Sequence, residues 1–383
     1  MPPSQSPKPD SVDFDSLRRW PDFESPELRA WDTADTLILD EAHGLLAGAD
    51  LVVIGDEYGA LTLGARESGA ARVRVHQDRL SGELALRANA QRSDYTSTDG
   101  TVYQSLSLSA ELVAGATLVL LRLPRSLDAL HEIAALIATH ASPEVVVIAG
   151  GRIKHMTVTM NEVLGRHFGR VDVTHARQKS RALIAREPTS GSLAEPRRRF
   201  HADLGLWVVA TGAVFAGTSV DIGTRALLGA LGRGHDRVDP FDSAVDLGCG
   251  TGILAAALAR QNPAARIVAT DESAAAVAST TLTMQANGLA VAITRDDAGS
   301  EIADRSIDLV VLNPPFHTGA AVHSGVSTKL FEAASRMLRP GGELWTVYNS
   351  HLDYKPTLER ILGGTTRQVE RTSKFTVTVS RKR

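Results

Sequence analysis

Short apolar runs recur along the chain and end in turn residues: Asp50 to Ile54, Thr117 to Leu121 and Val145 to Ile148 in the first half, Arg266 to Thr270, Ile307 to Leu312 and Glu343 to Tyr348 in the second. Each has the length of a strand, and segments of helical periodicity stand between them, such as Pro26 to Leu46 and the helix that begins at Ile253. This alternation predicts an α/β protein with doubly wound sheets. A closing pair, Gln368 to Arg371 and Phe375 to Arg381, predicts terminal strands, and the Gly341-Gly342 turn leads into the strand before them. The expected sheet has seven strands, mixed, with its last strand antiparallel.

The pattern occurs twice. Sliding the chain by 193 residues sets Gly55 on Gly248, Gly59 on Gly252 and Asp78 on Asp271 without a gap. Further on, Thr117 to Leu121 with Pro124 matches Leu309 to Leu312 with its prolines, and Val145 to Ile148 matches Leu344 to Val347. The chain therefore reads as an internal duplication. Residues 1–20 are expected to be a disordered leader, 21–186 the first domain, the polar stretch 187–199 a linker, and 200–383 the second domain.

The second copy carries the chemistry. The string VDLGCGTG, Val245 to Gly252, is a strand that delivers Asp246 and then a loop with glycines at 248, 250 and 252 and Cys249 between two of them. Alternate glycines remove Cβ atoms, so a cofactor can lie against bare backbone. The third glycine comes one residue earlier than in the dinucleotide spacing G-x-G-x-x-G, which favours S-adenosylmethionine over NAD. The next strand delivers Asp271 and Glu272 at its carboxyl end, where either could accept ribose hydroxyls. A third acidic site, Asp296 and Asp297 followed by Ala298, stands in the position expected for contact with an adenine amino group. A second string, LNPPF, ends the strand Ile307 to Leu312 at the same sheet edge. There the side-chain oxygen of Asn313 and the carbonyl of Pro314 can each accept a hydrogen from a planar exocyclic amine. Pro315 fixes the backbone and Phe316 offers a stacking face. No metal is needed for transfer of an already activated methyl group.

Those positions differ in the first copy. Asp246 is matched by Val53, Gly250 by Glu57, and the Asn-Pro-Pro clamp by Arg122, Leu123 and Pro124. Glu57 is expected to fill the cofactor channel, leaving this half catalytically empty. Its basic residues near the carboxyl ends of strands, Arg122, Arg125, Arg152 and Lys154, suit a docking surface for a polyanion.

Composition narrows the setting. With 41 basic and 44 acidic residues the net charge is −3, so no global basic field marks a nucleic-acid partner. The single cysteine, Cys249, excludes a disulfide within one chain and a cysteine zinc site. A proline-rich polar amino terminus and the lack of a long apolar run point to a cytoplasmic enzyme.

The strings DLGCGTG and NPPFH, behind a degenerate first half, resemble the bacterial ribosomal RNA guanine-N2 methyltransferases of the small and large subunits. LRAWDTAD from Leu28, VFAGTSVDIG from Val214, NSHLDY from Asn349 and the basic carboxyl terminus are similar to the large-subunit type. The resemblance implies two tandem Rossmann-like class I methyltransferase domains, the first degenerate. It also implies S-adenosylmethionine as cofactor and ribosomal RNA or a ribosomal subunit precursor as partner; the oligomeric state is not read from the sequence, a monomer being the favoured expectation. It places the cofactor at Asp246, Gly248, Gly250, Asp271, Asp297 and Ala298, and the clamp at Asn313, Pro314, Pro315 and Phe316, with His317 also matching. A small-subunit guanine enzyme, an adenine-N6 or protein glutamine methyltransferase, and a non-catalytic RNA-binding assembly factor are the competing readings.

Overall fold

The computed structural model describes residues 13–92, 103–189, 191–232, 240–315 and 320–383, without the side chains of 320–324. The chain divides into two compact units, Met1–Ala194 and Glu195–Arg383.

In the first unit the strands are β1 (Asp50–Ile54), β2 (Arg72–His76), β3 (Gln104–Ser105), β4 (Leu118–Arg122), β5 (Val146–Arg152), β6 (Phe168–Val173) and β7 (Ser180–Pro188). They form one sheet in the order β3-β2-β1-β4-β5-β7-β6, parallel except where β7 runs antiparallel to both neighbours. The helices are α1 (Thr33–Ala42), α2 (Ala60–Glu67), α3 (Leu80–Arg92), α4 (Ala110–Val113), α5 (Leu127–His140) and α6 (Val158–Gly165). α1 starts later than the periodicity from Pro26 suggests because Asp32 ends the extended segment. Its side chain takes the Ala34 amide while Asp35 takes the Asp32 amide, a reciprocal cap.

The second unit opens with a two-stranded ribbon, β8 (Arg197–His201) and β9 (Leu206–Ala210), then α7 (Ile222–Leu231). Its main elements are β10 (Ser243–Leu247), α8 (Ile253–Gln261), β11 (Arg266–Asp271), α9 (Ala274–Asn287), β12 (Ala292–Arg295), β13 (Ile307–Leu312) and α10 (Ala320–Met337). β14 (Leu338–Asn349), α11 (Lys355–Leu362), β15 (Thr366–Arg371) and β16 (Phe375–Arg381) complete it. The sheet order, β12-β11-β10-β13-β14-β16-β15, repeats that of the first unit position for position. β16 is the antiparallel strand. Every residue of β10 and β13 is buried, as central parallel strands covered on both faces require, and separate apolar clusters fill the two sides.

Three expectations change. The leader does not extend to residue 20: Phe14–Ser16 form a turn of 3-10 helix, Leu17 is buried in the first core, and the Arg18 amide donates to Asn89 at 2.9 Å. The stretch 187–199 is shorter as a connection, since β7 runs through Pro188 and β8 begins at Arg197. The Gly341-Gly342 pair lies inside β14, where the pairing with β13 shifts register between Ile307 and Leu309.

Candidate active site

β10 and β13 are neighbours with Leu247 opposite Leu312, so Gly248 and Asn313 leave the sheet side by side, about one strand spacing (~4.8 Å) apart. The predicted cofactor loop and the predicted clamp therefore share one sheet edge.

The three glycines of the loop do different work. All have positive φ, 76° at Gly248, 55° at Gly250 and 76° at Gly252. A Cβ on Gly248 or Gly250 would meet no described atom within 4 Å, so a ligand could lie against both. A Cβ on Gly252 would come within 2.7 Å of Thr280 Cγ2 and 2.9 Å of Met284 Cε, so this glycine serves the packing of α8 on α9. Cys249 is likewise a packing residue: it is buried, its Sγ lies 3.3 Å from Thr280 Oγ1, and burial, with Asp271 and Asp246 nearby, pushes its thiol above the usual value.

The acidic residues also separate. Asp246 is wholly buried; its Oδ2 accepts the Ala255 amide at 2.9 Å and so ties the strand end to the first turn of α8. Burial lifts its carboxyl to about 7, and Oδ1 has no partner among the described residues. Asp246 thus shapes the loop from beneath. Asp271 braces it from the side, accepting Gly250 N at 3.0 Å on one oxygen and Ser273 N at 2.9 Å on the other. Glu272 is the next residue at this edge, partly exposed, and its carbonyl accepts Arg295 Nε at 3.3 Å. Asp296 is turned inward, accepting Glu301 N at 2.8 Å, whereas Asp297 pairs with Lys329 Nζ of α10 at 2.6 and 2.7 Å. Ala298 takes a positive φ of 55° in the turn that follows. Open space over two glycines, with acidic side chains at two successive strand ends, fits a cofactor with ribose hydroxyls and a purine amine.

At the clamp, Asn313 directs Nδ2 at Thr224 Oγ1 (3.0 Å) and at both oxygens of Asp221 (3.3 and 3.4 Å). Its Oδ1 is buried and has no partner among the described residues. Pro314 is buried and Pro315 exposed; Phe316 and His317 lie outside the described residues. Asp221 and Thr224 carry no signal beyond an N-cap pattern, and they stand about ninety residues from Asn313 in sequence. Lys329 was equally invisible.

The first unit adds a residue to the sequence reading of its loop. Gly55, Glu57 and Gly59 take φ of 79°, 48° and 108°, the same left-handed positions as the three glycines of the second loop. Glu57 is exposed, and Arg122 also lies on the loop, its Cβ 3.3 Å from where a Gly55 Cβ would be. The register of Leu51 with Leu118 and of Ala244 with Leu309 makes Arg122 the counterpart of Asn313. Its guanidinium bonds both oxygens of Asp32 at 3.1 Å and also Asp35, so it is internally committed and is not a free phosphate contact. Against the burial that pulls the other way, Asp35, Glu57 and Asp32 hold Arg122 above its usual value, and burial raises Asp35 to about 6. Arg152 donates to Thr33 Oγ1 at 3.1 Å. Arg125 and Lys154 are exposed, and with Arg152 they add to partial burial in keeping His155 below its usual value. Among the described residues, no helix is long and apolar enough to cross a membrane and no group of side chains could hold a metal ion.

Over most of its length the chain resembles proteins described as ribosomal RNA large subunit methyltransferase G. It is 32% identical to that of Streptomyces avermitilis, covering 91% of this chain and 92% of the relative, and 33% identical to that of Pseudomonas putida (strain W619), covering 96% and 97%. The chain belongs to this family. Residues 10–190 match the RLMG N-terminal domain and residues 205–379 the Methyltransferase small domain, so both halves of the family plan are present. The fold matches that of a T. thermophilus 16S rRNA N2 methyltransferase in complex with AdoMet and guanosine, with a TM-score of 0.71 over 90% of this chain and 92% of that one, at 23% identity. Two tandem Rossmann-like domains are thereby a property of the family member described here.

Proposed function

We propose that the chain transfers a methyl group from S-adenosylmethionine to the exocyclic N2 of a guanine in large-subunit ribosomal RNA. The observation that carries this reading is the buried Oδ1 of Asn313, unpartnered among the described residues, one strand spacing from a loop in which Gly248 and Gly250 face open space among those residues. The names of the relatives support the RNA substrate, and the guanosine-bound fold neighbour supports the base and the atom. Gly248 and Gly250, with Asp271, Glu272, Asp297 and Ala298, would hold the cofactor, which supplies an electrophilic methyl group when bound.

The lone pair of a guanine amine is delocalised into the ring, so the protein must orient it. Asn313 Oδ1 accepts one N–H and the Pro314 carbonyl the other, which turns the nitrogen face toward the methyl donor. Pro315 has no N–H to compete for those acceptors. The base must leave its helix to reach this edge, or already stand in a loop. Phe316 and His317 border the clamp in sequence, the first as a stacking face. Arg125, Lys154 and Arg152 of the first unit supply contacts to RNA phosphates, with His155 beside them.

Asn313→Ala tests the reading. The variant is expected to bind S-adenosylmethionine as wild type does and to lose single-turnover methylation of ribosomal RNA by about 100-fold or more, since misorientation of a reacting amine is costly. A near-normal rate would remove Asn313 from the chemistry. Mass analysis of the nucleosides of the methylated RNA should give N2-methylguanosine; label in adenine or in protein would refute the substrate.

A further inference from the structure

We infer that Asp221 and Thr224 are positioning residues that fix which end of the Asn313 amide faces the substrate. The inference rests on the reading of Asn313 as the amine acceptor. A primary amide is nearly symmetric in shape and opposite in chemistry at its two ends, so an acceptor built from asparagine works only if something else decides its orientation. A carboxylate has no hydrogen to give. Asp221 can only accept, and it sits 3.3 and 3.4 Å from Nδ2. Thr224 Oγ1 is hydrogen bonded to Asp221 Oδ2, so its hydrogen is spent there, and its lone pair receives Asn313 Nδ2 at 3.0 Å. Donors therefore run one way, from the amide through the hydroxyl to the carboxylate. The reversed amide would set Oδ1 against the carboxylate and present N–H groups to a substrate amine, a repulsive contact on both sides.

The carboxylate is itself held. Asp221 is the N-cap of α7 and takes the amides of Gly223 at 2.9 Å and Thr224 at 3.1 Å. Gly223 keeps the approach to the oxygen free: a Cβ there would stand 3.4 Å from Asn313 Oδ1 and 3.1 Å from Asp221 Oδ1.

The first unit gives an independent view of the same device. Asp32 caps α1 as Asp221 caps α7, Asp35 stands three residues on as Thr224 does, and their partner is Arg122, the counterpart of Asn313. In both units the helix N-terminus orients the residue at the carboxyl end of the matching sheet strand, β4 in the first and β13 in the second. Two carboxylates face a cation in one unit, and one carboxylate with a hydroxyl faces a neutral amide in the other.

The test uses the full-length protein, S-adenosylmethionine and ribosomal RNA. Asp221→Ser keeps a capping hydroxyl but loses the acceptor that reaches Asn313, and Thr224→Val removes the hydroxyl with little change of shape. Each should lower the single-turnover rate by about 10- to 100-fold with cofactor affinity unchanged, and Thr224→Ser should recover most of what Thr224→Val loses. In an Asn313→Ala background, Asp221→Ser should cost less than about twofold more, because the residue acts through the amide. A wild-type rate in both single variants, or a loss that multiplies in full on Asn313→Ala, overturns the inference. Full activity of Asn313→Ala by itself overturns the reading beneath it, so the two failures are distinct.

Discussion

Gly250→Glu writes into the glycine loop of the second unit the residue that stands at the matching place in the first. Glu57 occupies that place at φ 48°, close to the 55° of Gly250, so this backbone already accommodates a glutamate. The left-handed conformation costs a non-glycine residue roughly 1–2 kcal/mol. In a domain of this size that lowers the melting temperature by roughly 2–8 °C and leaves the fold intact. Binding should suffer far more. The new side chain enters the space left open above Gly250, beside the carboxylate of Asp271 that holds the Gly250 amide at 3.0 Å. Displacement of a ligand from that floor should weaken S-adenosylmethionine by about 100-fold or more, some 2.7 kcal/mol. Calorimetric titration and thermal melting of one preparation read both quantities. Gly252→Ala is the counter-experiment, since its methyl group would strike Thr280 and Met284 at 2.7 and 2.9 Å and should cost stability before affinity. Affinity within threefold of wild type in folded Gly250→Glu would show that the cofactor does not lie over this loop.

Burial raises Asp246 from 3.8 to about 7, so the folded state holds a proton that the unfolded chain releases, and stability contributed below pH 4 is lost as pH rises toward 7, by roughly 4 kcal/mol at most. Asp246→Asn should therefore gain in melting temperature relative to wild type between pH 5 and pH 8.5; a constant difference would contradict the assignment. Arg125→Glu with Lys154→Glu should weaken RNA binding, with a shallower dependence on salt than wild type and cofactor affinity untouched. An unchanged salt slope would take these residues out of the RNA interface.

What the sequence carries is what repeats locally. The strands β10 and β13, the glycine loop and the duplicated order were legible because apolar runs and glycines keep their spacing whatever surrounds them. Asp246 was legible as important and illegible in role: only the fold shows that it lies beneath the loop and bonds Ala255. In the first unit the same helix amide, that of Thr62, is taken at 2.8 Å by Asp56, three positions further along, a substitution that alignment by position hides behind Val53. Glu57 looked like the whole obstruction because a side chain replaces a glycine, yet Arg122, whose charge Glu57 helps to hold, covers Gly55 as well, and no local pattern announces that second contribution. Asp221 and Thr224 could not be joined to Asn313 from sequence, because nothing in a cap pattern states which strand end it faces.

The two units share a scaffold, and one of the differences between them lies at the end of the strand that leads to the clamp. After β13 stands an amide whose oxygen has no partner among the described residues; at the end of β4 stands a guanidinium whose charge is met by Asp32 and Asp35. The guanidinium makes the first unit depend on it, because Asp35 is buried and tolerates its charge through Arg122. Arg122→Leu should then destabilise the first unit by about 3–5 kcal/mol at pH 8, as removal of one member of a buried pair does. The loss should shrink toward pH 5, where Asp35 takes up a proton: its folded value, already about 6, rises further without the cation, so the penalty grows as pH climbs through it. Urea unfolding at the two pH values measures this, and S-adenosylmethionine binding should be unaltered. A variant of wild-type stability with weakened RNA binding would return Arg122 to the docking surface and refute its structural role.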